Sequence, residues 1–244
     1  MQIGVCTDRG RLRENNQDYY YSSKTLDLPL FIVADGMGGH KAGEVASKMA
    51  VEIIVEVFNS NKVNVSKDEK TIINTIKQAI DEANEKIYKK SLANLEFNGM
   101  GTTLTMAYIL GKKLLVGHIG DSRVYIIQDN KIYQITEDHS LVAELVKNGS
   151  ISAEEAQYHP QKNIITRAVG TSKSIDTDIV IDEVKKGDII LLCTDGLTNM
   201  IDDLEIKNII KDNDDMQKAC EGLVKRANEL GGLDNITAIA VKIV

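Results

Sequence analysis

Tryptophan is absent, proline occurs twice, and aromatic residues make up 5% of the 244-residue chain. Aliphatic side chains must therefore build the core. A hydrophobic content of 43% is enough for a sizeable one and excludes a disordered chain. With Pro29 and Pro160 the only prolines there is no proline-rich linker, and no shift in composition marks a boundary. One domain over residues 1–244 is expected. The three cysteines, Cys6, Cys193 and Cys220, lie far apart and form no CxxC pair, which excludes a zinc ribbon and a disulfide framework. A reducing, cytoplasmic setting fits. The first residues lack an apolar stretch and carry Asp8, Glu14 and Asp18, so no signal peptide is expected. No apolar run approaches the ~18 residues of a membrane span. Positive charge is also scarce: 29 Lys and Arg against 36 Asp and Glu leave a net charge of −7. Such a surface disfavours nucleic acid and anionic membranes as partners. An acidic protein that handles phosphates must neutralise its site locally, and bound cations would do that.

Hydrophobic periodicity predicts short strands at 2–7, 19–23 and 30–34. A helix over 44–58 has Val45, Met49, Ile53 and Val57 four residues apart. Ser66-Lys67-Asp68-Glu69 has the form of a capping box opening a second long helix with Ile72, Ile76, Ile80, Ala83 and Ile87 on one face. Strands are predicted at 102–110, 114–119, 123–128 and 131–135, the last two joined by a tight turn at Asp129-Asn130. Short helices around 141–147 and 153–157 precede strands at 179–184 and 189–194. Helices at about 203–211 and 214–230 follow, the second ended by Gly231-Gly232, and a last strand covers 236–243. Runs of strands alternating with pairs of helices suit an α+β fold with stacked antiparallel sheets covered by helices.

Three apolar runs end in an aspartate followed by a small residue: Phe31-Ile32-Val33-Ala34-Asp35-Gly36, Val116-Gly117-His118-Ile119-Gly120-Asp121-Ser122 and Leu191-Leu192-Cys193-Thr194-Asp195-Gly196. Asp234-Asn235 stands just before the last strand, and Asp18 follows Asn15-Asn16-Gln17. Any one of these is most simply a turn. Together they call for another reason, because Gly36 and Gly196 are not followed at once by a partner strand. Carboxylates crowded at a sheet end repel one another unless a cation joins them. All-oxygen ligands select hard ions such as Mg²⁺ or Mn²⁺. A glycine after an aspartate lets its own carbonyl approach the same ion. Cations held this way activate a water and clamp the charge of an in-line displacement at phosphorus.

Arg13-Glu14-Asn15-Asn16-Gln17-Asp18, Ala34-Asp35-Gly36-Met37-Gly38-Gly39-His40, Gly101-Thr102-Thr103, Gly120-Asp121-Ser122-Arg123, Asp138-His139-Ser140, Cys193-Thr194-Asp195-Gly196-Leu197 and Asp234-Asn235-Ile236-Thr237 occur in that order. The series resembles the motifs of the metal-dependent protein serine/threonine phosphatases (PPM family, type 2C), in the single-domain bacterial form. The resemblance runs from Arg13 to the last strand. It implies a four-layer α-β-β-α sandwich with two central antiparallel sheets flanked by helices. It implies two core Mn²⁺ or Mg²⁺ ions bridged by Asp35, one also held by Asp195 and Asp234 and the other by the Gly36 carbonyl. A third, weaker ion would sit at Asp121 with Asp195. Asp18 would orient metal-bound water, Arg13 would grip the substrate phosphate with its planar fork, and His40 would donate a proton. A hydroxide bridging the two ions would attack directly, with no phosphoenzyme. Residues 140–170 would form a flap beside the site. The implied partners are phosphorylated proteins, namely targets of a bacterial serine/threonine kinase and the kinase itself, met by a monomer. Two positions depart from the animal pattern: Gln17 stands where it has glutamate, and Met37 where it has histidine.

Other chemistries fit less well. Cys220-Glu221-Gly222-Leu223-Val224-Lys225-Arg226 matches the C-x₅-R spacing of thiolate phosphatases, yet Ala219, Leu223 and Ala227 mark it as helix, not a phosphate-circling loop. No GxxxxGK[ST] occurs, and Gly36-Met37-Gly38-Gly39 does not fit GxGxxG. A catalytically inactive phosphatase-like signalling module would have lost metal aspartates, whereas Asp18, Asp35, Asp121, Asp195 and Asp234 are all present. His118 and His139 read as structural.

Overall fold

The computed structural model describes residues 1–23, 28–38, 42–60 and 68–244. In chain order the strands are β1 (Gln2–Asp8), β2 (Asp18–Ser22), β3 (Leu30–Met37), β4 (Gly101–Thr102), β5 (Leu104–Leu110), β6 (Lys113–Ile119), β7 (Arg123–Gln128), β8 (Lys131–Gln134), β9 (Asp178–Glu183), β10 (Ile189–Cys193) and β11 (Ile236–Lys242). The helices are α1 (Ala42–Ser60), α2 (Glu69–Ala93), α3 (Leu141–Lys147), α4 (Ala153–Gln157), α5 (Asp195–Thr198), α6 (Asp203–Lys211) and α7 (Met216–Glu229). One sheet has the order β1-β11-β10-β7-β8, the other β2-β3-β5-β6-β9 with β4 attached to β3, and every pairing is antiparallel.

Strand alternation sorts the apolar residues into three layers. On β3, Leu30, Ile32 and Ala34 pack under α1 and α2, while Phe31 and Val33 face the opposite sheet. On β10, Ile189, Leu191 and Cys193 pack under α6 and α7, while Ile190 and Leu192 face inward. On β11, Ile236, Ala238 and Ala240 face the helices, and Ile239 and Val241 the gap between the sheets. Two helix-covered cores thus enclose a third, inter-sheet core, which is the four-layer α-β-β-α sandwich.

Local chemistry sets the boundaries. The β7–β8 turn places Asp129 and Asn130 at φ 48° and 62°, a left-handed pair that short polar side chains tolerate. Helix α2 is capped by Asp68, whose carboxylate accepts from the Thr71 N–H at 3.0 Å. The expected cap at Ser66 lies outside the described residues. The predicted strand at 102–110 is two pieces, because Thr102 pairs with Gly36 in β4 before the chain enters β5.

Candidate metal centre

The inter-sheet gap changes character along its length. The alternation that buries Phe31 and Val33 places Asp35 next on the same face of β3. Asp18 lies opposite Asp35 in the β2–β3 register. From the other sheet the same rule carries Ile190 and Leu192 on to Thr194, and Val241 and Ile239 on to Thr237. Thus the apolar gap ends in a polar floor built by both sheets, at the strand ends where Asp195 opens α5 and Asp234 precedes β11.

Backbone hydrogen bonds fix that floor. The Asp35 N–H donates to Thr103 Oγ1 at 2.9 Å, and the Asp35 carbonyl accepts from the Thr103 N–H at 2.8 Å and the Thr102 hydroxyl at 2.9 Å. Thr103 and Ser122 hydroxyls meet at 2.9 Å, tying this strand to the Asp121 turn. Asn235 accepts from the Gln17 N–H at 2.8 Å and donates to the Arg9 and Asn15 carbonyls, both at 2.9 Å, so it holds the loop before Asp18. Two glycines permit close backbone contact: a Cβ on Gly36 would stand 2.1 Å from the Gly43 carbonyl oxygen, and one on Gly196 2.0 Å from that of Asn235.

The carboxylates converge. Asp35 feels the charges of Asp18, Asp195, Asp234 and Asp121, and burial with this repulsion lifts its pKa well above the usual range. Burial, opposed by two hydroxyl hydrogen bonds, raises Asp18 to about 7. Burial and the neighbouring Asp195 raise Asp121 to about 8. Asp195 is raised by burial and by the neighbouring Asp234. Asp18 Oδ1, Asp121 Oδ1 and Asp195 Oδ1 are buried without a hydrogen-bond partner. Buried acceptors are rarely left unmatched, and three unmatched carboxylate oxygens at one place fit a hard divalent cation. Among the described residues no group of three or more His, Cys, Asp or Glu side chains is placed to hold a metal ion by itself. An ion here would complete its shell with backbone carbonyl and water, as Mg²⁺ commonly does.

The structure therefore places Asp18, Asp35, Asp121, Asp195 and Asp234 near enough for each to feel the charge of at least one other, with Gly36 next to Asp35. Arg13 is at their rim, where Nη2 donates to Asp234 Oδ2 at 2.7 Å, a bond that raises the guanidinium pKa further. His40 lies outside the described residues. His118 is a satisfied core residue: Nδ1 meets the Thr105 hydroxyl and Nε2 the Glu137 carbonyl, each at 2.9 Å. His139 Nδ1 accepts from the Gly120 N–H at 3.0 Å and Nε2 meets Asp178 Oδ2 at 3.1 Å, bracing the turn that carries Asp121. The sequence alone assigns no role to Thr194, Thr237, Asn235 or Thr103, although all four stand inside the motif series that carries the resemblance.

A cleft of about 1110 Å³ runs from Asp121 and Asp195 along the inner side of the segment bearing α3 and α4. Its walls include Val142, Tyr158 and Arg167, and Tyr158 is largely exposed. Cys220 is buried in α7 under the other sheet, with its thiol pushed up to about 12 by burial, which excludes a thiolate nucleophile.

A protein phosphatase 2C family model matches residues 9–231. A serine/threonine phosphatase of Listeria welshimeri is 40% identical over 243 residues, covering 99% of this chain and 96% of the relative. The solved serine/threonine phosphatase of S. agalactiae superposes with a TM-score of 0.92 at 36% identity, covering 100% of this chain and 99% of that one. The catalytic domain of serine threonine protein phosphatase PstP, solved with two manganese ions, has a TM-score of 0.86 at 31% identity, covering 100% of this chain and 98% of that one.

Proposed function

The chain belongs to the protein phosphatase 2C family and is a metal-dependent protein serine/threonine phosphatase; we propose that Asp18, Asp35, Gly36, Asp121, Asp195, Asp234 and Arg13 carry its reaction. The observation behind this assignment is the group of three buried, unpartnered carboxylate oxygens at the polar end of the inter-sheet gap. Residues 1–244 are taken as one catalytic domain, with 140–170 as a flap.

Asp35, the Gly36 carbonyl, Asp195 and Asp234 would together hold two Mn²⁺ or Mg²⁺ ions. Asp121 with Asp195 would hold a weaker third ion. Bound there, the cations supply an activated water and positive charge opposite the phosphoryl oxygens. Asp18 keeps Oδ1 free to orient that water. Arg13 exchanges its Asp234 partner for two oxygens of the arriving phosphate, as a planar guanidinium can. The resemblance assigns the proton for the leaving alkoxide to His40. The substrates are phosphoproteins, and the bacterial relatives make a serine/threonine kinase and its targets the natural counterparts of a cytoplasmic, monomeric enzyme. An inactive signalling module is disfavoured because each aspartate is present.

The direct test is phosphate release from phosphoserine and phosphothreonine peptides across a Mn²⁺ titration. Release that rises with Mn²⁺ and stops with chelator is expected, and no release at any concentration would refute the function. Arg13→Ala should raise KM about tenfold with a smaller change in kcat, since the fork binds ground-state phosphate. Unchanged kinetic constants would remove Arg13 from the site. Asp121→Ala should weaken the weakest of the bound Mn²⁺ ions about tenfold or more in calorimetry while two others still bind. Loss of all Mn²⁺ binding would contradict the assignment of Asp121.

A further inference from the structure

Asp18 carries a contrast between its two oxygens. Oδ2 accepts from the Thr194 hydroxyl at 2.9 Å and from the Thr237 hydroxyl at 2.6 Å. Oδ1 is buried and has no partner. The carboxylate belongs to β2 in one sheet, while Thr237 lies in β11 of the other and Thr194 directly follows β10 there, so this contact bridges the inter-sheet gap. Both threonines are fully buried.

The direction of each bond follows from the number of protons. A threonine hydroxyl has one to give. Thr194 Oγ1 accepts the Thr237 N–H at 3.0 Å, so its proton is free for Asp18. Thr237 Oγ1 also meets Thr7 Oγ1 at 2.8 Å. Its own proton goes to Asp18, so Thr7 must be the donor there. Thr7 in turn accepts from Asn16 Nδ2 at 2.9 Å. The chain Asn16 to Thr7 to Thr237 to Asp18 runs one way, and every link is assigned. Thr194 also occupies the N-cap position of α5, where a threonine side chain usually accepts from the helix's own N–H groups, yet it makes no such bond. Its hydroxyl is committed to Asp18 instead.

We propose that Thr194 and Thr237 are positioning residues: they clamp Oδ2 of Asp18 from the opposite sheet and so hold Oδ1 aimed into the metal centre. The clamp restricts Asp18 to one rotamer, as the outer partners of metal sites do for the groups they support. It also makes one carboxylate geometry depend on the spacing of the two sheets. The inference rests on the proposed role of Asp18 toward water at the metal centre.

Valine matches threonine in shape and lacks the hydroxyl, whereas serine keeps it. Thr237→Val and Thr194→Val should each lower kcat about tenfold on p-nitrophenyl phosphate with KM little changed, and should weaken Mn²⁺ binding in calorimetry about tenfold. Thr237→Ser and Thr194→Ser should restore both. In an Asp18→Ala background, adding Thr237→Val should change neither quantity further, because the residue it acts through is gone. Wild-type kcat and Mn²⁺ affinity in the valine variants would overturn the inference. So would serine variants as impaired as the valine ones, or full additivity with Asp18→Ala. If the wild type binds Mn²⁺ but releases no phosphate, the proposed function fails, while the calorimetric comparison still decides whether the threonines act through Asp18.

Discussion

Asp35→Asn is expected to lower kcat/KM at least about a thousandfold, about 4 kcal/mol of transition-state stabilisation, while the metal-free protein melts at a higher temperature than the metal-free wild type. The two effects have one cause. Asp35 is the acid most crowded by others, with Asp18, Asp195, Asp234 and Asp121 all raising its pKa on top of burial. Asparagine removes a charge that burial and the surrounding aspartates oppose. The backbone at this position is held by Thr102 and Thr103 through groups the substitution leaves in place. A residue kept for structure would lose stability on replacement. One kept to hold cations loses activity and gains stability in their absence. Kinetics with saturating Mn²⁺ and melting curves in chelator check both halves. Retained turnover would remove Asp35 from the core, and a large drop in melting temperature would make it a structural acid.

Much of this site can be read from the sequence because its parts are local. An apolar run leading into Asp-Gly marks a strand, and β10 stops at Cys193 just before Asp195, whereas β3 continues through Asp35 and Gly36 to Met37. The β7–β8 turn at Asp129-Asn130 follows from residue type, and the apolar spacing of α2 matches its buried face, whereas α1 buries Ala46, Ala50 and Ile54 fully and the expected Val45 and Met49 only in part. The partners that make the site work are long-range and chemically plain. Thr194 and Thr237 reach Asp18 over separations of 176 and 219 residues, and a threonine in a strand is an ordinary β-former. Asn235 meets Gln17 across 218 residues. No periodicity encodes such meetings. One signal was available: with the inter-sheet face known from Ile190, Leu192, Ile239 and Val241, counting by two reaches Thr194 and Thr237 and shows polar residues entering a buried layer. That count requires knowing which face is inward, and three stacked apolar layers leave β3, β10 and β11 buried on both sides. Their near-continuous hydrophobicity hides the alternation. The cap of α2 shows a smaller version of the problem, because Asp68 serves as N-cap two residues after Ser66, whose side-chain type fits the position equally well.

The same crowding sets the pH dependence of the protein without metal. A carboxyl whose pKa in the folded state lies above its unfolded value of about 3.9 favours folding when protonated. Its contribution is complete below that unfolded value and is lost as pH rises through the folded one. Asp18 at about 7 and Asp121 at about 8, with Asp35 and Asp195 also raised, place the loss between about pH 4 and pH 8. Exposed acids with lowered pKa values, such as Asp129 beside Lys185, titrate below this window, while His118, lowered by burial to about 4, and His139, also lowered by burial, offset part of the loss below about pH 6.5. Metal-free protein should therefore melt progressively lower from pH 5 to pH 8. Mn²⁺ competes with protons for the same oxygens, so its binding strengthens over the same range. At a hundredfold excess over its dissociation constant it adds about 2.7 kcal/mol, or roughly 5–10 °C in a domain of this size. The Mn²⁺-induced rise in melting temperature should thus be large at pH 8 and nearly absent at pH 5. In Asp35→Asn both the metal-free decline and the Mn²⁺ rise should shrink together. A Mn²⁺ shift of equal size at pH 5 and pH 8 would mean that the ion binds somewhere other than among these aspartates.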